Sequence, residues 1–582
     1  MEIFNLIEAS IQNARQSFWP ALAPEILLAL TIMVILIVRC FTWGTVLQKV
    51  DAFVLTLAGC SIALYYALPA QATAAAQVQN GLFNGMLELD SFAIYIRVLL
   101  LAFTILFAIF TWLTNTPDRD DGADFYCLVL GGVLGMCFMA SANHLLMVFM
   151  AVEMASIPSY ALSGMLRNRR DSSEAALKYS VYGAGAAGIM LYGISLLAGV
   201  FNTVHLPTMA QTMAARLPEL NSAEQLVVAL GGLMVMAGVA FKLSAVPFHF
   251  WCPDVFTGAS AEVNAFLSVA SKAAALALLV RLAVGLGTLE PATTPAVAAT
   301  ARPASVTAED PAPTVYVAQA AENAGAAHAD EAHSAPASPT TANSDPLSGV
   351  RYFLAALIGG IAAVSCTFGN LAAYGQSNIK RMMAYSTIAH AGYMMLPVPA
   401  ALLLAGSHPA EARAAIASLA FYLFIYLFMN LGAFALIAFL RGSLGTEQIA
   451  DYGGLVRKSP IVVVLFSIVL FSLVGLPPLA GFTGKMLVFA SLANGYQATG
   501  QRLLLALLVI GGINTALSLY YYLRVVKVMT IDPESEVVRS SGSTLGFLRG
   551  VYAAAVVIPI LVFGIFWEQI NQIAGAAARG LF

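Results

Sequence analysis

Uninterrupted runs of apolar residues, recurring along almost the whole chain, constrain this sequence more than any other feature. Each is about 20 residues or longer, the length of helix that crosses about 30 Å of hydrocarbon at 1.5 Å per residue. The runs are continuously apolar, whereas a barrel strand alternates between lipid and lumen, so they read as helices. Composition agrees: 59% of the 582 residues are hydrophobic and 10% are charged, against about 25% charged in ordinary soluble domains. Mean hydropathy is +0.81. The expected fold is an all-α integral membrane protein. Windows of about 19 residues place spans near 21–41, 50–69, 91–113, 124–142, 144–165, 174–201, 226–250, 260–287, 350–374, 380–404, 413–440, 460–492, 501–527 and 549–570, about fourteen in all. Glu2, Glu8 and Arg15 precede the first run with no small-residue cleavage pattern, so that run is expected to serve as its own insertion signal.

Basic residues suggest the orientation. Connections after odd-numbered spans carry Arg39 and Lys49, Arg119, Arg167 with Arg169 and Arg170, Lys380 with Arg381, Arg441 with Arg457 and Lys458, and Arg524, Lys527, Arg539 and Arg549. The other connections are poorer. By the positive-inside rule the odd connections are cytoplasmic and both termini face the outer, periplasmic side. The chain divides into three N-terminal spans (1–123), a five-span unit (124–287), a polar segment (288–348), a second five-span unit (349–530) and a final span (531–582). An odd number of spans per unit makes tandem units insert upside down relative to one another, giving two inverted five-helix repeats. Each contains a lysine beside a proline-broken helix: Lys242 with Pro247, and Lys485 with Pro477 and Pro478. Residues 288–348 are rich in Ala, Pro, Thr, Glu and His, the composition of a disordered, outward-facing insert. His328, Asp330, Glu331 and His333 in it read as solvated polar side chains.

Ionisable residues inside the apolar runs are few, and each costs about 2.5–3.5 kcal/mol at a helix centre unless a partner or cavity receives it. They are Glu153, Lys178, Lys242, His249, Lys272, His390 and Lys485. A buried lysine with a movable acidic partner can switch between charged and neutral, which is what a proton relay requires. Glu153 is the acid nearest mid-span in the first unit and is the expected partner of Lys242. Pro247 lacks an N–H and clashes with the carbonyl four residues back, which frees carbonyls near Lys242 and Leu243. Pro477 and Pro478, with Gly475 and Gly481, do the same near Lys485. Freed carbonyls at membrane depth need protein or water beside them. Lys178 lies early in its helix, where snorkelling to the interface competes with function. His249 and His390 read equally as packing or relay groups. Arg97 and Arg281 read as interfacial anchors, and Glu25 and Asp90 as carboxylates at helix starts. The six cysteines, Cys40, Cys60, Cys127, Cys137, Cys252 and Cys366, stand singly, with no spacing for an iron–sulfur or zinc site.

The stretches AFKLSAVPFHFWCPDVFTGAS, NAFLSVASKAAALALLVR, NIKRMMAYSTIAHAGYM and GLPPLAGFTGKMLVF resemble the antiporter-like membrane subunits of proton-pumping NADH:quinone oxidoreductase, respiratory complex I. The likeness extends over the chain apart from 288–348. It implies two inverted repeats and a central charged chain in which Glu153, Lys242, Lys272 and Lys485 carry the proton path, Lys178 matching a further helix lysine. After HFWCPDV the family commonly continues Gly-Ala-Pro; here Gly258-Ala259-Ser260 stands in its place and Glu262 follows, which leaves a proton-loading role of Glu262 open. The chain ends soon after the last span, with IFWEQINQIAGAAARGLF, and within the family this points to the subunit N branch, which lacks a long lateral helix. No GxGxxG between strand and helix and no cysteine set occur, so NADH, FMN, iron–sulfur clusters and quinone are expected in partner subunits, with no cofactor in this chain. The implied setting is a bacterial cytoplasmic (inner) membrane, with other complex I membrane subunits as partners and no nucleic acid. A subunit of a multisubunit cation/proton antiporter is the alternative, though no sodium site of clustered intramembrane carboxylates is evident. An inert scaffold would carry the buried lysines at needless cost.

Overall fold

Every expected apolar run contains helix in the computed structural model, which describes residues 2–40, 47–69, 82–83, 85–116, 121–166, 168–289, 345–541 and 545–582, with side chains from Ala21 in the first helix and Ala52 in the second. One compact unit comprises 1–289 and 346–582; 290–345 is separate, and of it only Asp345 is described. The expected insert therefore lies almost wholly outside the described residues, as do the side chains of Glu2, Glu8 and Arg15.

In chain order the helices before the gap are α1 (Glu2–Cys40), α2 (Leu47–Ala67), α3 (Ser91–Thr114), α4 (Gly122–Ser141), α5 (Leu145–Ser163), α6 (Arg170–Phe201), α7 (Leu206–Arg216), α8 (Ser222–Leu243), α9 (Trp251–Gly258) and α10 (Ala261–Gly287). After the gap come α11 (Ser348–Ala373), α12 (Ile379–Met395), α13 (Pro397–Leu404), α14 (Pro409–Leu444), α15 (Pro460–Val474), α16 (Ala480–Thr499), α17 (Arg502–Thr530), α18 (Glu536–Ser540), α19 (Phe547–Ile565) and α20 (Glu568–Ala578). Among the described residues twelve helical segments are long and apolar enough to cross a membrane, and the shorter apolar helices 52–67 and 460–474 fill the second and twelfth places.

Local chemistry sets the ends. Asp90 caps α3 by accepting from Ala93 N at 2.8 Å, and Asn221 and Glu224 form a reciprocal capping box on α8. Asn378 accepts from the backbone of both Lys380 and Arg381 at the start of α12. The run 226–250 is not one helix. It stops at Leu243, where Ser244 takes φ 57°, and resumes at Trp251. The run 460–492 likewise breaks after Val474 at Gly475, with φ 92°, a conformation that glycine adopts freely. The run 549–570 ends at Ile565 and is followed by the separate α20; α7, a short helix between spans, was not expected.

Burial sorts the helices into interior and rim. Residues 261–287, 379–404 and 409–444 are 89%, 94% and 89% buried over their apolar windows, against 28% for 502–530 and 547–565, whose outward apolar side chains suit a lipid face. The interior helices are the ones that carry Lys272 and His390.

Two expectations need correction. Arg97 is 2% exposed, and its Nε lies 2.7 Å from Glu25 Oε1, itself 3% exposed. Glu25 stands within α1, not at its start. Arg281, 5% exposed, pairs with Asp90 and gives its Nε–H to Ala140 O at 2.9 Å. Both arginines are inside the bundle, where a charge persists only if it is paired. Asp90 does cap its helix, as expected, and serves Arg281 as well.

Candidate functional site

The two helix breaks build the site. A helix end leaves its last carbonyls unpaired and carries the negative end of the helix dipole. Buried ammonium groups occupy both broken ends. Lys272, on α10 and 1% exposed, donates to Leu243 O at 3.1 Å, the last residue of α8. Lys485, on α16 and 3% exposed, donates to Leu473 O at 3.0 Å and Val474 O at 2.8 Å, the end of α15. Lysine and acceptor belong to different pieces in each case, so each break is closed by a side chain from beyond it.

Lys242, in the last turn of α8 and 2% exposed, donates to Ser156 Oγ at 3.0 Å. Glu153 lies one turn earlier than Ser156 on α5, half-buried, and acts on Lys242 electrostatically without a direct ion pair among the described contacts. A neutral hydroxyl thus holds the ammonium while the carboxylate stands nearby.

Further polar contacts line up along α12. The second acceptor of Lys272 is Thr387 O, at 3.2 Å. One turn on, His390 is 1% exposed, and its Nδ1 and Nε2 are hydrogen-bonded to the hydroxyls of Tyr422, at 2.8 Å, and Tyr522, at 3.2 Å. One turn further, the Tyr393 ring lies 4.5 Å beneath the Lys485 ammonium. Polar groups of both units therefore meet on one stripe of a buried helix.

Lys178 stands apart from this stripe. At 35% exposed it pairs with Glu174 at 2.8 Å and Asp254 at 2.7 Å, and Asp254 also holds Arg381 at 2.9 Å. His249 sits in the first break with its ring 4.5 Å from those of both Phe250 and Phe368. Glu262 is buried in the first turn of α10, where the dipole favours a carboxylate. Among the described residues no three His, Cys, Asp or Glu side chains gather as a metal site. Sequence reasoning passed over Ser156, Thr387, Tyr393, Tyr422 and Tyr522. A serine or threonine in an apolar run carries no signal of its own, because its hydroxyl usually bonds to its own helix, and a tyrosine reads there as an aromatic packing residue.

A family profile described as "NADH:quinone oxidoreductase/Mrp antiporter, TM" matches residues 142–301 and 341–515. The NADH-quinone oxidoreductase subunit N of Anaeromyxobacter sp. (strain Fw109-5) is 34% identical over 559 residues, covering 96% of this chain and 95% of that protein. Subunit N of Chlorobium chlorochromatii (strain CaD3) is 32% identical, covering 95% and 94%. Among solved structures, a chain of respiratory complex I from Thermus thermophilus with bound aureothin aligns with a TM-score of 0.66 at 26% identity, covering 95% of this chain and 99% of that one. A chain of the Mrp complex from Dietzia sp. DQ12-45-1b shares the fold, with a TM-score of 0.70 at 17% identity over 97% of this chain and 98% of that one.

Proposed function

The chain belongs to the membrane-spanning NADH:quinone oxidoreductase/Mrp antiporter family, and from that premise we propose that it is the subunit N component of an NADH:quinone oxidoreductase, translocating protons while electrons pass from NADH to quinone in partner subunits. Those partners hold the NADH, FMN, iron–sulfur clusters and quinone; this chain supplies the proton route. Its neighbours are other membrane subunits of the complex. The setting is a bacterial cytoplasmic membrane, with both termini outward by the distribution of basic residues. Residues 124–287 and 349–530 are read as the two inverted repeats.

The observation that carries this reading is the row of buried lysines held by neutral oxygens. An ammonium on carbonyl dipoles is stabilised without a fixed negative charge locking its proton in place. Like charges repel strongly in a low-dielectric interior, so a proton arriving at one lysine favours its departure from the next. Lys242 beside Glu153 would load, Lys272 would pass the charge between repeats, and Lys485 would release it; Lys178, His249 and His390 are further candidates on or near the route.

Two measurements test this. The tagged chain, extracted gently from its native membrane, should bring NADH:quinone reductase activity with bound flavin and iron–sulfur clusters. Arrival with membrane subunits alone, together with sodium-dependent proton exchange, would favour the antiporter assembly instead. Within the assembled complex, Lys242→Ala or Lys485→Ala should lower NADH-driven proton pumping while assembly persists, and full pumping in either variant removes that residue from the route.

A further inference from the structure

Three positions of α12 divide the distance between two lysines evenly. Thr387, His390 and Tyr393 follow one another at three-residue intervals, so they share a face, and at 1.5 Å per residue they extend over about 9 Å of helix. The Lys272 ammonium sits on the carbonyl of the first, and the Lys485 ammonium sits on the ring of the third. His390 stands midway, and both of its nitrogens are engaged.

The two hydroxyls that engage it come from different helices and lead in opposite directions. Tyr522, on α17, also hydrogen-bonds the hydroxyl of Ser386, next to Thr387, at the Lys272 end. Tyr422, on α14, lies against Gly484, where a side-chain carbon would fall 2.3 Å from its ring, beside Lys485. Between the two lysines the hydrogen-bonded chain runs Ser386, Tyr522, His390, Tyr422. In a neutral imidazole one nitrogen donates and the other accepts, so the hydroxyl on each side decides which tautomer the ring holds.

We propose that Tyr422 and Tyr522 are relay residues that, with His390 between them, hand a proton from Lys272 to Lys485. The proposal rests on the reading of this chain as a proton path. The transfer balances as follows. Lys272 gives up a proton and becomes the neutral amine; Tyr522 accepts it while releasing its own proton to the facing nitrogen of His390. The opposite N–H bond breaks as that proton passes to the Tyr422 hydroxyl. Tyr422 in turn protonates the neutral amine of Lys485, and the imidazole is left in its other tautomer. No charge remains on either tyrosine, and the route needs no acid between the two lysines.

Tyr422→Phe and Tyr522→Phe keep the ring packing and remove only the hydroxyl. Each is to be measured in the whole complex in sealed vesicles, recording NADH-driven proton uptake beside NADH oxidation by a water-soluble acceptor, with Lys272→Ala and Lys485→Ala as references. The expected result is a loss of proton uptake as large as that of Lys485→Ala in both variants, with oxidation by the soluble acceptor unchanged. Placing 3-fluorotyrosine at 422 or 522 restores the hydroxyl and should restore uptake, which a purely packing role would not require. Normal uptake in both Phe variants while the lysine variants lose it would overturn the proposal and leave the proton path standing. Loss that fluorotyrosine does not restore overturns it as well, since packing then accounts for the defect. Full uptake in the lysine variants themselves would remove the proton path, and this hand-off with it. If a Phe variant fails to assemble, the fluorotyrosine forms decide: their more acidic phenol should shift the pH profile of the restored uptake, and an unshifted profile overturns the relay.

Discussion

Arg97 and Glu25 illustrate what one buried charge demands of another. With each about nine-tenths or more removed from solvent, the pair is stable only as a pair. Arg97→Ala should therefore cost about 3–5 kcal/mol, because it strands a buried carboxylate, whereas a double replacement by apolar residues of similar volume should recover much of that. Thermal unfolding of the purified assembly would separate the two, and equal loss in the single and double variants would contradict the argument. The same rule makes the intramembrane lysines legible in the sequence: their types and depths imply that something must receive them. It does not say what. Lys242 meets a serine 86 residues away, Lys272 a carbonyl 115 residues away, and Lys485 carbonyls only 11 and 12 residues away but on the far side of a helix break.

Helix breaks work by close approach of one piece to the next. Gly481 opens α16 against α15 so tightly that a side-chain carbon on it would lie 1.9 Å from Ser472 O, and its N–H donates to Ser472 Oγ at 3.0 Å. Gly481→Ala should force the two pieces apart and pull Lys485 off its carbonyls. Poor assembly, or assembly without pumping, is the expected outcome; a complex that assembles and pumps normally would show that the approach is not needed. At the other end of an element, His144 caps α5, its Nδ1 accepting from Leu146 N at 3.2 Å. Burial foremost, and then nearby His205, hold His144 below the ordinary histidine range. Because its folded-state value is lowered, the unfolded state binds the proton more readily, so the stabilisation is present above about pH 6.5 and fades as pH falls below it. Protection of the amides at the start of α5, taken relative to the intrinsic exchange rate at each pH, should fall on acidification through that range, and His144→Asn, which keeps an acceptor but does not titrate, should abolish the dependence. Neither the proline breaks nor their positions were hard to read in the sequence. The cap was missed because histidine is an uncommon cap and shows only once the chain turns at Asn143.

Polar contacts join the helices before residue 289 to those after 345 in several places. Lys272 reaches Thr387 O in the interior, Val246 N donates to Ser365 Oγ at 3.0 Å beside the first break, and Lys380 donates to Ala259 O at 2.8 Å. A partly exposed ion web adds to these, with Asp254 shared by Lys178 and Arg381. Exposed pairs are worth about 0.2–1 kcal/mol each and are screened by salt. Asp254→Asn leaves two like charges facing each other, so its thermal midpoint should fall below that of the unaltered protein at low ionic strength and approach it at high ionic strength. A salt-independent deficit would mean that Asp254 does more than balance charge.

By itself the sequence determined the membrane class, the number and course of the spans, the places where two of them break and the few residues whose charge had to be received inside. These follow from bilayer thickness, from the missing N–H of proline and from the cost of a buried charge, all of which act over a single helix or less. Tertiary structure alone decided that the broken end of α8 is closed by a lysine from α10 and that of α15 by one from α16, that Arg97 and Arg281 lie inside the bundle, and that Tyr393, Tyr422 and Tyr522 gather around His390. Those choices depend on which helix surfaces come together, across as few as 11 residues for Lys485 and as many as 191 for Arg281, and no local pattern of apolar and polar side chains encodes that.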